Sequence, residues 1–198
     1  MRKPPSVKKT SIIAGEGKSE KIFLEYLKSI YWIKGGQHSV SVHKNIQEGH
    51  GGGSSINVAG EVMNQFGCLP RDAIVLLLDE DIAGDLSCTD ITRQALKRCR
   101  YKSVIPKDRI KCIMMRPCFE GFILRILGKR ILENSSHCKQ QFEIIFGKKA
   151  PKVDKGNYTR HCPKKLLEEK RKQISALDEL IRYFEIATKA DFASYFDG

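Results

Sequence analysis

The chain has 198 residues, 41% of them apolar, and a net charge of +12. This length and apolar content suit one cored domain and argue against wholesale disorder, and the charge points to a polyanionic partner, nucleic acid first. Seven cysteines, odd in number and without a C-x-x-C spacing, argue against a disulfide framework and fit reduced thiols in the cytoplasm.

Residues 1–8 form a basic leader without the apolar stretch of a signal peptide, and no segment has the apolar length to span a membrane. A strand is expected at Lys9 to Ala14, followed by the turn Gly15-Glu16-Gly17. A helix with Ile22, Phe23, Tyr26, Leu27 and Ile30 on one face comes next. Val40 and Val42 alternate with polar neighbours, which predicts a strand over Ser39 to His43. The glycine loop Glu48 to Ser55 precedes a helix bearing Ile56, Ala59, Met63 and Phe66, with Ser54 or Ser55 as its cap. Ala73 to Leu78 is a continuous apolar strand running into Asp79-Glu80-Asp81. Asp90 is placed to cap a helix with Ile91, Ala95, Leu96 and Cys99. Ile110 to Met115 reads as the last strand, and Pro117 as the first position of a helix that Gly128 ends.

Strand and helix alternate four times, and each crossover contains a helix, which is what parallel neighbours require. The expected fold is therefore α/β: a four-stranded, mostly parallel sheet with helices on both faces over residues 9–130. Residues 131–198 read as a basic helical C-terminal appendage. Its long helix starts near Pro163 and carries Leu166, Leu167, Ile174, Leu177, Leu180, Ile181 and Phe184 on one face.

Acids gather where ligands bind such sheets, at the carboxyl ends of the strands. Glu16 sits at the corner after the first strand. Asp79 and Asp81 stand two apart after the third, and strand alternation would send both side chains to one side. Glu120 lies in the first turn of the helix after the fourth strand. Each has a bland alternative: a turn residue, a solvated turn, an acid favoured by the helix dipole. Together they would crowd one edge. Bare carboxylates about 4 Å apart repel by roughly 4 kcal/mol at an effective dielectric of 20. Such a group requires protons or a hard cation, and Mg²⁺ or Mn²⁺ suits oxygen donors of this kind.

The E-G turn at Glu16-Gly17 followed by the D-x-D of Asp79 and Asp81 resembles a Toprim domain. More narrowly, EGKSEKIFLEYL, LLLDED and RPCFEGFIL, in that order, resemble the RloB-like Toprim family across residues from about 10 to 130. The C-terminal part matches only loosely. The resemblance implies a metal-dependent nuclease of bacterial anti-phage defence, often encoded beside an ABC-like ATPase, and leaves RNA (including tRNA) or DNA open as the substrate. It implies Glu16 as general acid/base or metal ligand, Asp79 and Asp81 as metal ligands, and Glu120 as a further acidic member. Lys18 and Arg116 are the nearby cations placed to stabilise phosphate charge.

Two other classes compete. A non-catalytic nucleic-acid-binding or adaptor protein would explain the charge, with Lys148, Lys149, Lys152, Lys155, Arg160, Lys164 and Lys165 contacting phosphates beside Tyr158 as a stacking platform. It would not explain carboxylates facing phosphates. A P-loop nucleotide binder is suggested by Gly17-Lys18-Ser19, but the required upstream glycine is Ile12, inside the strand. The pairs His137-Cys138 and His161-Cys162 invite a zinc reading, although adjacent ligands rarely converge on one tetrahedral ion.

Overall fold

A computed structural model describes residues 9–33, 38–44, 54–66, 72–102, 105, 107–131, 134–147, 154–187 and 192–196. Four strands, β1 (Lys9–Gly15), β2 (His38–Lys44), β3 (Ala73–Asp79) and β4 (Ile110–Met115), form one sheet in the order β2-β1-β3-β4. Every pairing is parallel. The strands fall where the sequence pattern places them: β3 is a continuous apolar run buried along its whole length, while β2 alternates Val40 and Val42 with polar neighbours.

The helices are α1 (Lys18–Tyr31), α2 (Ser55–Phe66), α3 (Glu80–Ala83), α4 (Cys88–Arg98), α5 (Phe119–Ile126), α6 (Ser135–Phe146), α7 (Lys155–His161), α8 (Lys164–Lys170) and α9 (Ser175–Ile186). Strand alternation divides the sheet into two cores. Ile12, Ala14, Ile74, Leu76, Leu78 and Cys112 face an aliphatic layer built by α2, α3 and α4. Ile13, Val75, Leu77, Ile113 and Met115 face a larger, aromatic layer of α1, α5 and the C-terminal helices. In that layer Phe23 meets Phe119, Phe122 and Tyr158 with ring centroids 5.1–6.0 Å apart, the spacing of favourable aromatic pairs.

The described helices of the C-terminal part, expected as an appendage on the sheet, pack into its aromatic layer. Leu177, Leu180, Ile181 and Phe184 of α9 complete the cover of one sheet face. The Tyr183 hydroxyl donates to Ser11 Oγ at 2.9 Å in the buried interior. The long helix expected from Pro163 is two helices: the chain turns at residues 171–173 between α8 and α9. The seven-residue step from Leu167 to Ile174 fits one continuous helix as well as two, so periodicity alone did not separate them.

Caps differ from expectation in two places. Ser87, not Asp90, caps α4: its Oγ accepts the Asp90 N–H at 3.1 Å and donates to Asp90 Oδ2 at 2.6 Å. Helix α5 begins at Phe119 rather than Pro117, with Cys118 at the cap position and no side-chain bond of its own there. Gly128 does end it, at φ 68°, with the Lys129 N–H reaching back to the Leu124 carbonyl at 2.9 Å. Among the described residues no helix is long and apolar enough to cross a membrane.

Candidate active site

Strand order reverses between β1 and β3. The chain leaves β1 for β2 on one side and returns to β3 on the other, with α1 in the aromatic layer and α3 and α4 in the aliphatic one. The helices that follow the two strands lie on opposite faces of the sheet, the arrangement at whose carboxyl ends open α/β sheets bind ligands. Glu16 and Asp79 stand at the ends of those two strands.

They are in direct contact. Glu16 Oε1 accepts the backbone N–H of Asp79 at 3.2 Å, which ties the corner after β1 to the end of β3. Asp79 is 6% exposed, and its Oδ1 accepts the N–H of Phe119 at 2.8 Å. Asp79 thus supplies, from a distant strand, the cap that Cys118 does not give α5. The Asp81 N–H donates to the Pro117 carbonyl at 3.0 Å, binding the segment after β3 to the segment after β4. Three strand ends meet here through side chain and backbone.

Asp79 and Asp81 do not project from one strand face as alternation predicts. β3 stops at Asp79 and the chain coils at once into α3, so Asp79 is buried while Asp81 is exposed in the first helical turn. Glu120, in the first turn of α5, is partly exposed.

The sequence reading missed Glu20. It lies in the first turn of α1, 8% exposed, with its side chain folded back over the turn. A Cβ on Gly15 would collide with Glu20 Cβ, and one on Gly17 would sit 2.9 Å from Glu20 Oε2. The two glycines make room for Glu20, which also fills the space a phosphate would need in a P-loop. The signal was present in the spacing: Glu20 follows Gly15 and Gly17 within one helical turn, at the start of α1.

Crowding sets the protonation. Burial pushes the Asp79 carboxyl up to about 9, and the charges of Glu16, Glu20, Glu120 and Asp81 add to the effect. Burial raises Glu20 to about 7, with Glu120 and Glu16 contributing. Burial also raises Glu16; the Asp79 N–H offsets part of this, and Asp81 and Glu120 reinforce it. The opposing charge is Lys139 on α6. Its partial burial disfavours the ammonium, but the fields of Glu120, Cys118, Asp81 and Asp79 outweigh that and raise its pKa. Nothing in the linear sequence marks Lys139. It arrives because α6 packs on α5, where Gly121 leaves room for Cys138: a Cβ there would lie 3.3 Å from Cys138 Sγ.

The other expected residues divide. Lys18 is exposed at the start of α1. Arg116 pairs with Glu80, Nε to Oε1 at 2.6 Å. Lys155 is exposed as the first residue of α7, whereas Lys148, Lys149 and Lys152 lie outside the described residues. Tyr158 is no stacking platform. It is fully buried against Phe23, Tyr26 and Phe146, with its hydroxyl donating to the Ser19 carbonyl at 3.3 Å. Cys138 is buried beside Cys118 and Leu124, and Cys162 in the separate aromatic core.

Among the described residues, no three His, Cys, Asp or Glu side chains form a ready-made metal-holding group. Mg²⁺ does not require one: it is usually held by one or two carboxylates, its remaining positions going to water and substrate phosphate. The donor set fits such an ion, being all carboxylate and carrying charge that one lysine does not balance. Comparison with protein-family models, with curated proteins and with solved structures finds no match to this chain.

Proposed function

We propose that this chain is a Mg²⁺- or Mn²⁺-dependent nuclease that hydrolyses nucleic-acid phosphodiesters, of the RloB-like Toprim kind its motifs resemble, acting in the cytoplasm in anti-phage defence beside an ABC-like ATPase. The observation that carries the reading is the latch between Glu16 and Asp79, which gathers under-compensated carboxylates at the sheet's switch point in a chain of net charge +12.

Asp79 and Asp81 would hold the ion, with Glu16 and Glu120 beside them. The ion would supply neutralisation of the phosphodiester and of the oxyanion developing on it. Glu16 is the acid/base. It is bonded through one oxygen to a backbone N–H, and burial raises its carboxyl above the ordinary value, the direction that favours proton transfer. Glu20, buried behind the turn, packs against the corner and adds its charge to the field at Asp79. Lys139 and Lys18 are the cations placed to meet phosphate.

The test is incubation of the purified chain with labelled tRNA, single-stranded DNA and duplex DNA in Mg²⁺, Mn²⁺ or EDTA. Cleavage that requires the metal and is lost in Glu16→Gln supports the reading. Binding without cleavage under every condition would instead make the chain a nucleic-acid-binding adaptor.

A further inference from the structure

β4 is an edge strand, and its amino half borders a cleft of about 1010 Å³ whose far wall is α4. Five cations surround it: Arg93, Lys97, Lys102, Lys107 and Lys111. Among the described residues no acidic side chain lines it. Arg93 is paired with Asp90, and Lys111 with Glu179 at 3.5 Å. Lys97, Lys102 and Lys107 are exposed and make no ion pair among the described residues. The floor is apolar, with Leu96, Ile105 and the ring of Phe196. A second hollow of about 360 Å³ between Arg93, Gln94, Lys97 and Arg98 extends the basic strip along α4.

Lys97, Lys102 and Lys107, without an ion-pair partner among the described residues, repel one another, and a polyanion relieves that. Apolar and aromatic surface between the cations suits a ligand with flat faces between its phosphates. An acidic peptide would match the charge but offers no such faces. We infer that this cleft is a binding track for a nucleic-acid strand, with phosphates on Lys97, Lys102 and Lys107 and bases against the floor. The inference rests on the nuclease reading for its ligand class, and it places the contact on a different element from the basic segment around Lys148 to Lys155. The track also leads toward the carboxylates. From Cys112 in the cleft to Met115, beside the segment that Asp81 binds, β4 advances roughly 10 Å.

The experiment measures binding of the full chain to fluorescein-labelled oligothymidylate and oligouridylate in EDTA, across a salt series. For Lys97→Ala/Lys102→Ala/Lys107→Ala, affinity is expected to fall about tenfold or more at low salt. The slope of log K against log salt should drop by about 2, near 0.7 for each lost single-strand contact. The matching triple Lys→Arg variant should keep both, and thermal melting of each variant checks the fold. An unchanged affinity and slope in the alanine variant overturns the track. So does polyglutamate of equal charge displacing the oligonucleotide equally well, which would assign the cleft to an acidic protein. Displacement by AMP at the same concentrations would assign it to a mononucleotide and also overturns the proposal. If the wild-type chain binds no oligonucleotide and cleaves none, the nuclease reading fails first. If it binds and the alanine variant binds equally, only the track fails.

Discussion

Around Arg171, three acids share one guanidinium. Nε meets Asp178 at 2.8 Å, the two terminal nitrogens hold Glu185 at 3.0 and 3.1 Å, and Glu168 lies at 3.4 Å. At the ends of β1 and β3, Glu16, Glu20, Asp79, Asp81 and Glu120 influence one another with Lys139 as the opposing charge. Both groups concentrate acids, but the first contains its cation and the second does not contain enough. A planar fork filled by carboxylates on α8 and α9 is a finished structural joint that pins the turn between them. Carboxyls at a switch point, where burial and one another's charge make the ionised form unfavourable, are held in a state that a bound cation would change. The contrast separates an ion-pair network that serves the fold from one suited to chemistry.

The largest effect expected is on activity. Glu16→Gln keeps the bond to the Asp79 N–H but cannot move a proton, so cleavage should fall by roughly 10²–10⁴-fold while oligonucleotide binding persists. Single-turnover assays beside binding isotherms check this, and wild-type cleavage by the variant would reduce Glu16 to a turn residue.

The second effect is on stability against pH in EDTA. Asp79 binds its proton more tightly folded, at about 9, than at its ordinary value of 3.8. The folded state therefore carries the extra proton. Its contribution is fully present below about pH 4 and is lost as pH rises toward 9. Melting temperatures should fall over that window. The loss should flatten in Asp79→Asn, which keeps the Oδ1 acceptor for Phe119, and shrink with added Mg²⁺. A wild-type profile as flat as that of Asp79→Asn would show that the ionised form is not unfavourable there.

Removing the cation from the finished joint is the converse test. Arg171→Met leaves three acids facing one another and should cost about 2–3 kcal/mol in urea denaturation, the range for hydrogen bonds to charged groups, with cleavage per folded molecule unchanged. If cleavage fell with stability held, the joint would belong to the site and the contrast would collapse.

The smallest effects come from the turn. Gly15→Ala sets a Cβ against Glu20 Cβ and should cost about 1–3 kcal/mol. Gly17→Ala meets only the far end of that side chain and should cost less. Truncating Glu20 to Ala removes the Oε2 that a Cβ on Gly17 meets and should recover part of the Gly17→Ala loss in a double-mutant cycle, while the clash of a Gly15 Cβ with the Cβ at position 20 remains. Additive costs for the Gly17 pair would mean that Gly17 serves the backbone rather than Glu20.

Much of this molecule was legible in one dimension. Each strand lies where an apolar run meets turn residues, and parallel pairing followed from the length of the crossovers. Glu16, Asp79, Asp81 and Glu120 were marked because acids at strand ends are conspicuous against those runs. The manner of their convergence was not legible. Alternation was extended two residues too far, past Asp79 through Glu80 to Asp81, where the chain had already become helical. Tyr158 looked available because a basic neighbourhood suggests solvent, yet its ring is buried among Phe23, Tyr26 and Phe146.

What the sequence determined by itself is what depends on neighbours along the chain: apolar period, turn chemistry, the E-G corner and the charge. Only the tertiary structure decided the order β2-β1-β3-β4, and with it the adjacency of Glu16 to Asp79. It also folded Glu20 over two glycines, brought Lys139 up from α6, and made the C-terminal helices the cover of one sheet face. The physical reason is that strand order and helix docking are chosen by burial summed over residues far apart in sequence, while pKa values follow the distances that choice creates.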